Sequence, residues 1–169
     1  NLYRVNTKTG ARTLLQENDG YLGYTLDDDW NVRGRAAMNE QGELVAELRD
    51  LGGDEWYHFM TIPSDEMMTT NLSGFSKDGT RLYGTSSIGR DKAALVWWEP
   101  RKGGAESPHV VFESDKADVS GGMSNPDTYE PEAVTVNYLR PEWNVLSEAI
   151  APDIAAIGKL DQGDFSIGS

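Results

Sequence analysis

The chain has 169 residues, 38% of them hydrophobic, and its 28 acidic against 15 basic side chains give a net charge of -13. That charge repels phosphate backbones and anionic lipid and leaves no basic stripe for counterion release, so no nucleic acid partner is expected. The apolar stretches fall well short of the roughly 18 residues of a membrane span, so no membrane association is expected, and zero cysteines exclude disulfides, thiolate metal sites and a cysteine nucleophile.

The chain opens on the strand-like Asn1-Leu2-Tyr3-Arg4-Val5 without an initiator methionine. It reads as a piece of something longer, so a missing targeting signal carries no information and the compartment stays open between cytoplasm and periplasm. Leu2 to Val5 and Ala11 to Leu15 flank Asn6-Thr7-Lys8-Thr9-Gly10, a loop whose glycine supplies the left-handed residue of a hairpin. Gly23 to Leu26, Asn31 to Met38, Glu43 to Arg49 and Trp56 to Ile62 follow as strands, separated by Asp27-Asp28-Asp29, Asn39-Glu40-Gln41-Gly42 and Leu51-Gly52-Gly53-Asp54. A second meander runs through Ser73 to Ser76, Arg81 to Ser86, Ala93 to Trp98 and His109 to Phe112. It uses the turn Lys77-Asp78-Gly79-Thr80 and the loop Arg101-Lys102-Gly103-Gly104. A third begins near Val119 and continues through Ala133 to Tyr138 and Trp143 to Leu146.

Shifting the sequence by 50 positions superposes these meanders, pairing Leu22 with Leu72, Asp28 with Asp78, Val32 with Leu82, Gly34 with Gly84 and Val45 with Leu95. Repeats of about 40 to 50 residues with four strands each mark propeller blades, whose sheets bury their faces against their neighbours. The fold class expected is therefore all-β: a partial β-propeller of about three four-stranded antiparallel blades with one short helix near the C-terminus. The expected divisions are residues 1–18 as the end of one blade, 19–66 and 67–115 as two blades, and 116–169 as a partial blade. The helix is expected over residues 147–160, where Ile150, Ile154, Ile157 and Leu160 recur at spacings of three and four between Pro152 and Gly158. Phe165-Ser166-Ile167 is strand-like and expected to open the next blade. Closed propellers have about four to eight blades, so the parent protein is expected to be larger.

The run Gly74-Phe75-Ser76-Lys77-Asp78-Gly79-Thr80-Arg81-Leu82-Tyr83, followed by Gly89-Arg90-Asp91-Lys92-Ala93-Ala94-Leu95, resembles the propeller domain of the prolyl oligopeptidase family of serine peptidases, especially its dipeptidyl and acylaminoacyl peptidase branches. Leu2-Tyr3-Arg4-Val5 leading through Thr9-Gly10, Pro131-Glu132-Ala133-Val134 and the helix ahead of Gly163-Asp164-Phe165-Ser166 extend the resemblance over nearly the whole chain. Lys77 departs from it, because many such repeats carry proline there. The resemblance implies a propeller capping a C-terminal α/β-hydrolase domain that holds the whole catalytic triad. Gly84-Thr85-Ser86-Ser87-Ile88-Gly89 and Gly122-Met123-Ser124-Asn125-Pro126 do not match the Gly-x-Ser-x-Gly of a nucleophile elbow. No catalytic, cofactor-binding or metal-binding residue is therefore assigned to this chain, and no cofactor is expected.

Several constellations invite a site and have a plainer reading. Counting from Asp27, a calcium loop would place Val32 where glycine is needed and Met38 where a bidentate glutamate is needed, so Asp27-Asp28-Asp29 reads as a solvated turn. His58 lacks a nucleophile at motif spacing, and His109 lies a blade away, so His58 reads as a packed strand histidine. Trp97 and Trp98 must face opposite sides of a strand and cannot form one platform. With Trp30, Trp56 and Trp143 they read as packing between blades. Asp115, Asp118, Glu130 and Glu132 could line a central channel and attract a peptide's amino terminus, or be solvated loop residues.

On this reading the chain is a scaffold. The partners implied are the C-terminal α/β-hydrolase domain of the parent and short peptide substrates, with self-association through exposed blade edges a further expectation. The parent would cleave short peptides, and the propeller would cap the active site and restrict substrate size. Two alternatives stand beside it: a TolB-like propeller serving as an interaction scaffold, and a carbohydrate-active propeller with paired carboxylates. The sequence beyond Ser169 separates the first two.

Overall fold

Alternating apolar and polar residues, closed off by Gly, Asn and Asp turns, organise the chain into antiparallel sheets in which each strand pairs with its neighbour in sequence. A computed structural model describes residues 1–104, 108–160 and 163–167. The first sheet is the hairpin β1 (Leu2–Val5) and β2 (Arg12–Gln16). The second is the meander β3 (Gly23–Leu26), β4 (Val32–Met38), β5 (Leu44–Leu48) and β6 (Tyr57–Ile62). The third is β7 (Asn71–Phe75), β8 (Leu82–Ser86), β9 (Ala94–Trp98) and β10 (His109–Phe112). The fourth has three strands, β11 (Val119–Ser124), β12 (Pro131–Asn137) and β13 (Pro141–Val145). None of the four is closed. This is an all-β, partial propeller-like succession, as the strand pattern predicts.

The 50-residue period has a steric cause. Gly34 and Gly84 occupy the second strand of successive meanders, each opposite a first-strand residue, Thr25 and Leu72. A Cβ on Gly84 would lie 2.0 Å from the Asn71 carbonyl oxygen and 2.9 Å from Trp98 Cζ3. On Gly34 it would lie 2.9 Å from Thr25 Cβ and 3.1 Å from Leu48 Cδ2. In the fourth sheet Val134 stands at the corresponding place and the glycine has moved to its partner, Gly122, where a Cβ would meet the Ala133 carbonyl oxygen at 2.7 Å. Each of these sheets thus keeps one glycine at this particular cross-strand pair, Thr25–Gly34, Leu72–Gly84 and Gly122–Val134.

The core lies between the second and third sheets. Ala46, Leu48, Phe59, Met60 and Ile62 from one side and Phe75, Leu82, Ala94, Val96 and Trp98 from the other form a single buried cluster. Phe59 meets Trp98 edge to face, with centroids 6.0 Å apart and planes at 88°, a favoured aromatic geometry. Beyond β9 a 3₁₀ turn, Pro100–Lys102, swings the chain back so that the Gly104 amide donates to the Phe59 carbonyl at 2.9 Å. A side chain is disfavoured there, because a Cβ would meet Met60 Cβ at 2.7 Å and the Phe59 ring at 2.9 Å.

Two features near the C-terminal end differ from expectation. Helix α1 is Ala151–Ile157, shorter than 147–160, because the chain enters it through a turn at Ser147 to Ile150 and leaves it at Gly158. Ile154 and Ile157 are half-buried, but Leu160 is 83% exposed and falls off the stripe. Phe165-Ser166-Ile167 is irregular rather than a strand, and Phe165 stacks on Trp143 with centroids 5.9 Å apart and planes at 8°. Residues 168 and 169, with Ser169 at the end of the last expected blade, lie outside the described residues. Among the described residues no helix is long and apolar enough to cross a membrane.

The β7–β8 turn is built by its own side chains. Asp78 Oδ1 accepts from the Ser76 hydroxyl at 2.6 Å, the Thr80 amide at 3.0 Å and the Thr80 hydroxyl at 2.8 Å. These bonds, the Ser76 hydroxyl foremost, stabilise the charged form and hold the Asp78 carboxyl at about 2, below its ordinary 3.8.

Two outcomes follow from these contacts. Gly84→Ala costs the chain about 2 kcal/mol or more in urea unfolding. Gly74→Ala, with no atom within 4 Å of the added carbon, is neutral or slightly stabilising; equal stability of the two variants would remove the steric account. For Asp78 the folded value lies below the unfolded one, so its contribution is complete above about pH 4 and is lost as pH falls through about 2. In a carbon-13 NMR titration Ser76→Ala moves the Asp78 midpoint up toward 3.8, and an unmoved midpoint refutes the assignment.

Candidate functional site: where three hairpin turns meet

The first hairpin turns of the second, third and fourth sheets, at residues 27–31, 76–81 and 125–130, come together because β3 and β7 run side by side and the Val119 amide at the start of β11 donates to the Ala93 carbonyl just ahead of β9. Lys77 is the hub. Its ammonium pairs with Asp28 and lies 5.2 Å from the centroid of the Tyr129 ring, while the Tyr129 hydroxyl donates to the same Asp28 carboxylate. Three sheets thereby meet at one carboxylate. Lys77, with Tyr129 behind it, holds the Asp28 carboxyl below its ordinary range, and Asp28 in turn raises both Lys77 and the Tyr129 phenol.

A second bridge joins the third and fourth sheets alone. Glu130 accepts from the Tyr83 hydroxyl at 2.6 Å and from Arg81 at 3.1 Å. Burial, then Glu130, raises the Tyr83 phenol. Between the second and third sheets Arg33 is almost wholly enclosed: it pairs with Asp27 at 3.7 Å, donates to the Arg49 carbonyl at 2.8 Å and lies 4.6 Å over the Phe75 ring.

Two cavities open beside these bridges. A cleft of about 430 Å³ lies among the three turns, lined by Asp28, Trp30, Ser73, Gly74, Tyr83 and Tyr129 among others. A larger space of about 620 Å³ separates the third and fourth sheets, with Thr69, Asn71, Thr85, Leu95, Ser120 and Ala133 in its walls. The third sheet therefore meets its two neighbours unequally, by a filled core on one side and by bridges around a gap on the other.

The residues singled out from the sequence are dispersed by this arrangement. Asp27 Oδ1 serves its own turn, accepting from the Asp29 and Asn31 amides at 3.1 and 2.9 Å, while Oδ2 faces Arg33. Asp118 accepts from the Ala93 amide at 2.7 Å, before β11, whereas Glu130 and Glu132 follow the turn after β11. That strand spans roughly 20 Å, so the four carboxylates Asp115, Asp118, Glu130 and Glu132 do not converge. Asp115 is exposed, and Glu132 is buried against the Asn125 amide at 3.1 Å.

His58 is exposed on the outer strand β6, 3.0 Å from Thr61 Oγ1, not packed as expected, because strand alternation turns it away from Phe59 and the core. His109 stacks on Trp97 at 3.9 Å, and Arg81 covers that indole at 4.9 Å. Trp98, facing the other way, is fully buried. Trp56 is sandwiched by Arg35 and Arg49 at 4.1 and 4.7 Å. Trp30 alone among the tryptophans is 65% exposed, on the rim of the cleft, and does not pack between sheets. Sequence reasoning missed Trp30 and Tyr129 as a pair, although the 50-residue shift that superposes the meanders sets Tyr129 on Gly79.

Comparison with known proteins gives two relatives. The chain is 34% identical over 169 residues to dipeptidyl aminopeptidase BIII of Pseudoxanthomonas mexicana, covering 99% of this chain and 24% of that protein. It is 22% identical over 161 residues to dipeptidyl peptidase family member 6 of Caenorhabditis elegans, covering 91% of this chain and 22% of that protein. The chain spans about a quarter of the length of these curated relatives. No family model and no solved structure matches it. Over nearly its whole length the chain is thus a relative of dipeptidyl peptidases, in accord with its resemblance to the propeller domain of the prolyl oligopeptidase family of serine peptidases.

Proposed function

We propose that this chain is a non-catalytic, propeller-like segment of a serine peptidase of the dipeptidyl peptidase type, and that it helps cap the active site of a hydrolase domain and restrict access to short peptides. The observation that carries the reading is the 34% identity to a dipeptidyl aminopeptidase over 99% of the chain. The two histidines support it: His58 faces solvent beside Thr61, and His109 lies flat on Trp97 with Glu99 Oε1 3.8 Å from its Nε2, beyond hydrogen-bond reach, so among the described residues neither sits in the short carboxylate–imidazole–hydroxyl chain that nucleophilic catalysis needs. Selectivity in such an arrangement is steric. A flexible peptide threads past the sheets, a folded protein does not, and the cap makes and breaks no bonds.

The test compares the intact protein with the 169-residue chain. The intact protein is labelled by a fluorophosphonate probe, hydrolyses a dipeptidyl reporter and spares a folded protein of the same cleavable sequence, whereas the 169-residue chain takes no label and cleaves neither. An intact protein that takes no label and instead retains a protein partner supports the scaffold reading. Equal cleavage of peptide and folded protein removes the size restriction, and turnover by the purified chain removes the non-catalytic role.

A further inference from the structure

The three turns around the cleft share one backbone device. In each, an amide near the end of the turn donates back to a carbonyl at its start: Trp30 to Asp27 at 3.1 Å, Gly79 to Ser76 at 2.8 Å and Tyr129 to Asn125 at 2.8 Å. The donor residue has positive φ in all three, at 66°, 69° and 62°. Glycine is the residue this conformation favours, and the middle turn has it. The two flanking turns carry large aromatic residues there instead, and among the described residues these are the two non-glycine residues with positive φ. Both line the same cleft. A bulky side chain adopts this backbone at a cost, and residues so held cluster where a site must be preorganised.

The cleft's floor carries a second anomaly. Gly74 lies on β7, lacks positive φ and has nothing within 4 Å of a Cβ built on it. Neither backbone conformation nor packing asks for glycine, which weakens a strand and often marks close approach of a ligand or another backbone. The pairing register with β8 slips between Leu72 and Gly74, the irregularity that re-aims strands beside binding sites. β7 is also the edge strand of its sheet, so part of its backbone hydrogen-bonding capacity is free of the ladder. Outside the lining itself, exposed Asp29 precedes Trp30 and acts electrostatically on Lys77, and exposed Asp127, two residues before Tyr129, acts on its phenol; neither forms an ion pair within 4 Å among the described residues, while Asp28 is already neutralised by Lys77.

We propose that the cleft between Trp30 and Tyr129 binds an extended peptide segment along β7, taking an aromatic side chain against the indole of Trp30 over Gly74, with Lys or Arg beside it facing Asp29 and Asp127. Main-chain pairing to an edge strand gives affinity, and the aromatic slot gives selectivity. The left-handed backbone at Trp30 holds the indole out over the cleft, where it is 65% exposed. The inference goes beyond the peptidase reading, because capture at this cleft requires neither a hydrolase domain nor a free amino terminus.

The experiment titrates the intact protein by calorimetry with acetyl-Ala-Lys-Phe-Lys-Ala-amide and with the same peptide carrying Ala for Phe. The Phe peptide binds at least about tenfold more tightly, the order of one well-made aromatic contact. Trp30→Gly loses that selectivity while the Tm is unchanged or rises, because glycine relieves the backbone. Gly74→Leu fills the floor and abolishes binding. Equal binding of the two peptides, no binding at millimolar peptide, or unchanged binding in both variants overturns the proposal. So does a Tm that falls with binding in Trp30→Gly, which makes the indole a packing group. Since the probe is blocked at both ends, its failure to bind leaves the peptidase reading standing, and failure of that reading leaves this binding in place.

Discussion

The structure depends on one shared apolar layer between the second and third sheets, and Trp98 is its centre. A sheet that faced water on both sides would have nothing to stabilise it. By burying Leu48, Phe59 and Met60 against Leu82, Val96 and Trp98, each sheet supplies the other's missing half. Trp98 shows how strongly burial governs this contact. Among the described residues its indole N–H finds no acceptor, a loss of about 1–3 kcal/mol. Enclosing about 200 Å² of ring contributes roughly 5 kcal/mol at the usual coefficient, so the ring stays buried despite its orphaned donor. The ring requires space above β8, which explains why Gly84 carries no side chain.

Around that layer the sheets are joined by cations rather than by more apolar area. Arg33 is enclosed between Phe75, Asp27 and the Arg49 carbonyl, and Arg101 lies on Tyr57 while pairing with Asp50. The Arg33 pair excludes water and would be costly to break from one side, since a charge would be stranded in the interface. The Lys77–Asp28 pair is different in kind: Lys77 is 53% exposed, so its ion pair contributes little to stability and instead fixes where three turns stand relative to one another. The 620 Å³ gap between the third and fourth sheets fits this division, because there bridges at Glu130 do the joining that a filled core does on the other side.

The strands were legible because their signals are local. Period-two alternation through Leu44–Leu48 and Ala94–Trp98, glycine at the turns and the recurrence of Gly34 at Gly84 each follow from a steric requirement that acts within a few residues. Where expectation and structure part, the deciding contact is distant in sequence. Leu160 continues a helical spacing, but the helix ends at Ile157 with no buried residue to extend it. Phe165 reads as strand and instead lies flat on Trp143, 22 residues earlier, whose indole N–H donates to the Phe165 carbonyl. His58 sits in an apolar-looking run but on the outward face of an outer strand. No local pattern records which strand will be outermost.

The cleft among the three turns was illegible for a different reason: its informative feature is a mismatch between residue type and backbone. Asp27-Asp28-Asp29 drew attention by composition, yet the Asp27 carboxylate is consumed by turn amides and Arg33, and that of Asp28 by Lys77. Trp30 and Tyr129 drew none as a pair, since an aromatic residue in a turn is unremarkable until its φ is known. The repeat held only half the clue, because the 50-residue shift sets Tyr129 on Gly79 but Trp30 on Thr80, so the left-handed conformation that Trp30 shares with them is out of register in the sequence. Local rules broken without a folding reason mark places where something other than folding has set the residue. The same logic separates Gly74 from Gly84: one strand glycine is forced by a ring and a carbonyl, the other by nothing in the fold, and it is the unforced one that lines the cleft.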